Sequence, residues 1–151
     1  MTATVWAYPW DLLDEGATMA AAFALGAEGI QMGTRMVSAL ESPVHDAWKQ
    51  AVVAAAETDT VFLNRRIGPG LRALRTKHSE SLEYAEGNAM VEFGDRERVM
   101  RLYFGGDLEA SLALCGQVAG RIDAVRPVAD ILHETAADCL ATLSRLAADY
   151  T

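Results

Sequence analysis

The sequence predicts an α/β fold, in which a helix–strand–helix unit is followed by a mostly helical extension. Three observations predict it: an alanine-rich run that ends in glycine, a short apolar stretch directly after it, and helical periodicity in the last third of the chain. The 151 residues are 51% hydrophobic and 23% charged, a profile typical of one globular domain. No linker or internal repeat divides the chain.

The charge balance and the hydropathy of the chain argue against two classes of partner. Thirteen Lys and Arg against 21 Asp and Glu give a net charge of −8, so attraction to a nucleic-acid backbone is opposed. No apolar segment approaches the roughly 20 residues that cross a bilayer, and the first residues lack the features of a signal peptide. We therefore expect no nucleic-acid partner, no membrane span and a cytoplasmic location.

The run from Gly16 to Ala27 predicts the first helix. It is rich in alanine, the best helix former, and Gly26 is suited to end it. The apolar sequence GIQMG follows after two or three residues, which is the length of a connection from a helix into a strand. We therefore predict a strand at residues 29–33.

A second helix is predicted from Ser42 to about Ala56. Ser42 can cap its first turn, and Pro43 suits the first helical position. Apolar side chains recur at the spacing of a buried helix face. They are Trp48, Ala51, Val52 and Ala55.

The middle of the chain predicts two short elements. Residues 58–66 are expected to be extended, and the IGPG sequence at residues 67–70 interrupts the chain. Residues 71–87 predict an amphipathic surface helix that ends at Gly87.

The last third predicts two helices, at residues 107–122 and 126–150, which pair as an antiparallel hairpin. Cys115 and Cys139 lie on the apolar faces of these helices with 23 residues between them. That spacing is unlike a metal knuckle or a CxxC pair, so we expect two buried packing residues. The predicted apolar row of the second helix is Val128, Leu132, Thr135, Cys139, Leu143 and Leu146.

A polar QMGT sequence ends the predicted strand. In parallel α/β folds, ligands gather at the carboxyl ends of strands, where the free N–H groups of a glycine turn hold phosphate. Gly33 would allow close approach, and Gln31 and Thr34 would supply polar side chains. The alternative is that Gln31 and Thr34 only cap a helix start. We expect Arg35 to form a structural ion pair rather than to contact a ligand.

Two stretches resemble the nitronate monooxygenases, formerly called 2-nitropropane dioxygenases. The first is ALGAEGIQMGTRMV together with the ESPxHxxxK pattern that begins at Glu41. The second is DLEASLALCGQVAGRI, which contains a Gly-Gln pair at residues 116–117. The likeness extends over most of residues 16–146 and is weakest at residues 64–104.

The resemblance implies the C-terminal part of a TIM (β/α)8 barrel followed by a helical extension. A complete barrel takes about 250 residues, so this chain cannot hold eight units. The resemblance makes residues 1–151 a single partial domain. It consists of a divergent segment at 1–15, the last barrel unit at 16–63 and the extension at 64–151.

The family's barrels bind FMN and oxidise alkyl nitronates with dioxygen. By resemblance, Gln31, Met32, Gly33 and Thr34 form the loop that holds the flavin phosphate, chiefly through backbone N–H groups. The family's catalytic histidine has no counterpart in this sequence, so we assign no catalytic residue. We therefore expect a C-terminal fragment of an FMN-dependent oxidoreductase that is inactive alone.

None of the three histidines is expected to act as a base, because none lies in a polar constellation. His45 is placed at a helix start, and His78 and His133 on outer faces.

The acidic series at Glu80, Glu83 and Glu86 predicts a solvated face rather than a metal site. The basic residues around the GPG turn are expected to meet acidic helices. They are Arg65, Arg66, Arg72 and Arg75.

Two other functions remain open. The related FMN-dependent enoyl-acyl carrier protein reductases also resemble the closing segment, so the chain is alternatively a fragment of such an enzyme. A non-enzymatic helical module is the third interpretation, because the helix at 17–26 is apolar almost all round. Such a module would pair with an upstream half-barrel or with a second copy of itself.

Overall fold

The computed structural model describes residues 15–150, so the predictions for residues 1–14 lie outside the described residues. The elements in chain order are α1 (Gly16–Ala24), α2 (Thr34–Val37), α3 (Asp46–Ala54), β1 (Thr60–Leu63), β2 (Leu71–Leu74), α4 (Lys77–Glu83), a first 3₁₀ helix (Ala89–Gly94), α5 (Arg96–Gly105), a second 3₁₀ helix (Gln117–Arg121) and α6 (Val128–Tyr150). No helix in this part of the chain is long and apolar enough to cross a bilayer.

The first predicted helix is confirmed, but the strand predicted after it is wrong. Gly26 follows α1 with a φ of +95°, a left-handed conformation that glycine adopts at little cost. Residues 27–33 are irregular. The described residues contain one sheet, formed by β1 and β2, so residues 29–33 have no neighbouring strand there to complete a ladder.

The helix predicted at Ser42–Ala56 is confirmed as the shorter α3, but the predicted cap at Ser42 and the helical position of Pro43 are wrong, because the helix begins at Asp46. His45 caps it, because its Nδ1 accepts the N–H of Ala47 at 3.1 Å. Trp48 and Val52 are buried in the main core, as predicted from the apolar spacing.

The second strand of a β-hairpin, β2, replaces the first four residues of the surface helix predicted at residues 71–87. β1 confirms the extended segment, and it pairs antiparallel with β2, with Leu63 opposite Leu71 and Thr60 opposite Leu74. Pairing with β1 outweighs the helical pattern of this sequence, since strand formation depends on cross-strand contacts. Helix begins only after Thr76, whose side chain caps α4.

The helix predicted at residues 107–122 is wrong, and α5 was not predicted. Leu114 instead forms an isolated antiparallel bridge with Ala73. The N–H of Cys115 donates to the carbonyl of Arg72 at 3.1 Å, so this segment extends the hairpin. Its backbone is satisfied by β2 rather than by its own next turn.

The long C-terminal helix α6 is confirmed, although it packs on α1 rather than on residues 107–122. Its buried side chains are Ile131, Thr135 and Cys139. Leu132, in the predicted apolar row, is 48% exposed, so the buried face is rotated from the predicted one. The two helices cross closely at Gly16, where an added β-carbon would lie 2.3 Å from the backbone nitrogen of Cys139.

Two hydrophobic clusters form the core around the hairpin. The larger contains Val44, Trp48, Val52, Leu74, Leu102, Ala113, Cys115, Val118, Ala119 and Ile122. The smaller contains Val61, Leu63, Ala73, Ala89 and Leu112. Cys115 and Cys139 are both buried, which confirms their prediction as packing residues.

Candidate functional site

The QMGT loop, residues 31–34, lies at the surface just before α2. Gln31 and Gly33 are exposed, whereas Met32 is half-buried and packs with Ala22 and Ala27. A β-carbon added to Gly33 would have no atom of the described chain within 4 Å. The approach to the backbone at Gly33 is therefore open.

The backbone N–H groups of this loop are unpaired within residues 15–150. Those of Gln31, Met32, Gly33 and Thr34 donate to no carbonyl or side chain in that part of the chain. Because α2 is a single turn, its dipole is small, and the amides themselves are the main attraction for an anion. Consecutive free amides are the donors that suit phosphate oxygens.

Thr34 joins the loop to the C-terminal part of the chain. Its Oγ1 accepts the N–H of Gly116 at 2.6 Å, in a buried contact. α2 has Gly33 as its N-cap and no side-chain cap, so the alternative that Gln31 and Thr34 only cap the helix is wrong. The hydroxyl of Thr34 keeps its own proton available for a further acceptor.

Arg35 is tied into the fold beside the loop. The residue is only 6% exposed, and its NH1 donates to the carbonyl of Ala124 at 2.8 Å. This buried bond holds α2 against the segment that follows the second 3₁₀ helix. Its acceptor is a backbone carbonyl, so the ion pair predicted for Arg35 stays a prediction.

Polar residues of the ESPxHxxxK pattern form hydrogen bonds that join separate segments of the fold. Glu41 accepts the N–H of Val128 at 2.9 Å and so caps the start of α6. Lys49 is buried and donates to the carbonyl of Leu40 at 3.1 Å. Together with the His45 cap of α3, these bonds connect α2, α3 and α6. Glu41, His45 and Lys49 are therefore engaged in contacts within the fold.

The other two histidines differ in their surroundings. His78 is half-buried rather than on an outer face, and its Nε2 lies 2.7 Å from Glu92 and 3.1 Å from Arg98. His133 is exposed, as predicted. Among residues 15–150, no histidine is hydrogen-bonded to the QMGT loop.

Two of the four arginines near the GPG turn, Arg65 and Arg75, meet the acidic helix α4, as predicted. Arg72 instead donates to Oγ1 of Thr60 at 3.0 Å. Arg65 pairs with Glu83 at 2.9 Å and Arg75 pairs with Glu80 at 3.0 Å. Both pairs are partly exposed, so each contributes little to stability. Glu86 is exposed.

A polar cavity of about 180 Å³, which the sequence did not predict, lies between residues 121–126 and α6, with Arg35 of α2 and Glu15 also in its lining. Ion pairs of Arg121 with Glu15 and of Arg126 with Glu134 cross it. The hydrogen bond that Arg126 donates to Glu134, together with the charge of Asp123, raises the pKa of Arg126. The cavity is lined by Glu15, Arg35, Arg121, Ile122, Asp123, Arg126, Ile131, Glu134, Thr135 and Asp138.

Comparison with known sequences gives a family match over most of the chain. The family model described as nitronate monooxygenase matches residues 13–138. A protein of Staphylococcus haemolyticus named probable nitronate monooxygenase is 35% identical over 74 residues, which cover 49% of this chain and 21% of that protein. A protein of the same name from Staphylococcus aureus strain Newman is 31% identical over 74 residues. The match spans about a fifth of the length of these curated relatives.

Comparison with solved structures gives the same architecture. FabK from Thermotoga maritima superposes with a TM-score of 0.75 and 35% identity, over 90% of this chain and 44% of that one. Nitroalkane oxidase from Streptomyces ansochromogenes has a TM-score of 0.68 and 20% identity, over 89% of this chain and 39% of that one, a likeness of fold alone. Both are TIM-barrel proteins, so this α/β, mostly helical chain shares its fold with part of that family.

Proposed function

Because this chain belongs to the nitronate monooxygenase family of flavin-dependent oxidoreductases, we propose that it contributes the phosphate-binding loop of an FMN site. The proposal assigns the QMGT loop, Gln31, Met32, Gly33 and Thr34, to the flavin phosphate. The observation that carries it is the row of four N–H groups at residues 31–34 that have no acceptor among residues 15–150, where no atom of those residues closes the approach to Gly33.

The donors of the loop fit a phosphate monoester. Four N–H groups, the Thr34 hydroxyl and the side-chain amide of Gln31 are all able to donate, and residues 31–34 include no carboxylate. When bound, FMN would supply the redox chemistry, whereas these residues would hold its phosphate and fix its position. The half-buried Met32 would contribute its amide and pack its side chain beneath the loop.

The activity proposed for the whole enzyme is oxidation of alkyl nitronates with dioxygen. The family match over residues 13–138 supports it. The chain alone is proposed to be inactive, because His45 is engaged in a helix cap and His78 in a salt-bridge network. Neither is then available as a base at the loop.

An enoyl-acyl carrier protein reductase is the second candidate. FabK, an enzyme of that kind, is 35% identical with an alignment over 90% of this chain, whereas the staphylococcal match covers 49%. Nitronate-dependent oxygen uptake and NAD(P)H-dependent enoyl reduction, measured side by side in a full-length protein that contains this segment, distinguish the two. Enoyl reduction without oxygen uptake would contradict the nitronate assignment.

Substitution of Gly33 tests the loop directly. Gly33→Val, in a full-length protein that contains this segment, is expected to lower the FMN content of the purified protein, because the added side chain occupies the open approach. Gly29→Val is the matched control, since Gly29 is also exposed with open space around it. Flavin absorbance per mole of protein is the measurement. Equal flavin content in the two variants would contradict the assignment of the loop.

A pairing partner is a third proposal, supported by apolar side chains exposed on α6. Leu132 is 48% exposed and Leu140 is 65% exposed. A second copy or an upstream half-barrel would cover them. Size-exclusion chromatography with flavin absorbance tests this: a colourless oligomer supports a non-enzymatic module, whereas a yellow monomer contradicts it.

A further inference from the structure

We propose that Gln117 is a further ligand-binding residue of the QMGT site, and that its side-chain amide donates to the same phosphate group. The inference rests on the proposed FMN site and adds a residue from a distant part of the sequence. Three observations support it: a hydrogen bond that fixes the neighbouring residue, the packing of two short helices, and the exposure of Gln117 within a buried segment.

The hydrogen bond between Gly116 and Thr34 fixes the neighbourhood. The donor is the N–H of Gly116 and the acceptor is Oγ1 of Thr34, 2.6 Å apart and buried. Gln117 follows Gly116 directly, and consecutive Cα atoms are about 3.8 Å apart. Gln117 therefore lies next to the residue that contacts Thr34, the last residue of the QMGT loop.

The packing of α2 prevents the two segments from separating. α2 contacts the second 3₁₀ helix, whose first residue is Gln117. Arg35 adds a bond of 2.8 Å from its guanidinium to the carbonyl of Ala124, beyond the other end of that 3₁₀ helix. The segment is thus attached to the loop region on both sides of Gln117.

Gln117 is exposed although its neighbours are not. Cys115, Gly116, Val118 and Ala119 are buried, with Val118 1% and Ala119 0% exposed. The side chain of Gln117 forms no hydrogen bond with any residue from 15 to 150. The residue next to Gly116, which is hydrogen-bonded to Thr34, thus carries an exposed side-chain amide with no partner among residues 15–150.

The chemistry of the side chain matches a phosphate rather than a cation. The Nε2 of glutamine donates two hydrogen bonds and carries no charge, so it supports an anion without forming an ion pair. Glutamate has nearly the same shape but places a carboxylate against the phosphate, where like charges repel. Gln117→Glu therefore tests the contact with the phosphate without removing the volume of the side chain.

The test uses the full chain labelled with ¹⁵N, titrated with FMN and with riboflavin, which lacks the phosphate. FMN is expected to shift the backbone amide signals of residues 31–34 and the side-chain amide signal of Gln117, and riboflavin is expected to leave both in place. Gln117→Glu is expected to weaken FMN binding about tenfold, the effect of losing a charge-assisted hydrogen bond. Gln50→Glu, at an exposed position on α3, is the matched control.

The outcomes separate this inference from the proposed function. Shifts at residues 31–34 without a shift at the Gln117 side chain, and equal FMN affinity of Gln117→Glu and Gln50→Glu, would overturn the role of Gln117 and leave the loop intact. An absence of FMN-dependent shifts at residues 31–34 at millimolar ligand would overturn the loop assignment and the inference together.

Discussion

Thr34 shows how one residue of the QMGT loop serves the fold while its neighbours stay available to a ligand. Its side chain is 4% exposed and accepts a hydrogen bond from Gly116. Gly33, directly before it, has no side chain and open space around it. The loop is therefore anchored at its end by a side chain and free along its backbone.

Removing the Thr34 anchor is expected to destabilise the protein. Thr34→Val keeps the shape of the side chain but leaves the buried N–H of Gly116 without its acceptor, which costs about 1–3 kcal/mol. Urea unfolding measures the change, with Thr58→Val at an exposed position as the control. Equal midpoints for the two variants would show that the hydrogen bond does not contribute.

Gly106 lies at a turn where an added methyl group is expected to lower the free energy of unfolding. Its φ is +72°, and an added β-carbon would lie 2.3 Å from Nδ1 of His45. Gly106→Ala is expected to cost about 1–3 kcal/mol, because it combines a left-handed backbone with a clash against the residue that caps α3. Thermal unfolding tests this, with Gly87→Ala as the control, since Gly87 has open space and no positive φ. A similar melting temperature for both variants would contradict it.

At the scale of elements, local signals predicted those that depend on their own sequence. The alanine run with Gly26 predicted α1, and apolar spacing predicted α3 and α6. β2 and the segment around Leu114 were missed, because their hydrogen bonds go to each other and to β1. The failed strand at residues 29–33 has the same cause, since a strand is defined by a partner that the pattern does not reveal.

The capping of α6 by Glu41 is an element-scale contact that a local pattern does not reveal. The carboxylate accepts the N–H of Val128 at 2.9 Å, although the two residues are 87 positions apart. Glu41→Ala is expected to cost about 1 kcal/mol, because the first turn of α6 loses its acceptor and a favourable charge. In Glu41→Ala, amide hydrogen exchange is expected to become faster in the first turn of α6 than in α3. Glu57→Ala, at an exposed position, is the control, and equal exchange in both variants would contradict the cap.

At the scale of the whole molecule, the loop and the C-terminal segment form one unit. Thr34 with Gly116 and Arg35 with Ala124 join residues that are far apart in sequence. The QMGT residues were selected as a candidate site because they resemble the family's phosphate loop, whereas the local pattern of a glycine among polar residues also allowed a helix cap. The anchoring of the loop was not predicted, because the helix predicted at residues 107–122 would have placed Gly116 inside a regular turn instead of beside Thr34.

The family match supports the flavin-dependent chemistry that the loop is proposed to serve. The chain matches the nitronate monooxygenase model over residues 13–138 and shares its fold with FabK. In such proteins the flavin carries the redox reaction, and the protein determines where it sits. The described residues supply donors for a phosphate, and this contribution is the central claim to be tested.

The most direct test is the preference of the chain for FMN over riboflavin. Fluorescence titrations at low salt with wild type and Gly33→Val separate the phosphate contribution from any affinity for the flavin ring. Wild type is expected to bind FMN at least about tenfold more tightly than riboflavin, because several charge-assisted hydrogen bonds would hold the phosphate. Gly33→Val is expected to lose this preference. Equal affinities of wild type for FMN and riboflavin would contradict the assignment of the QMGT loop.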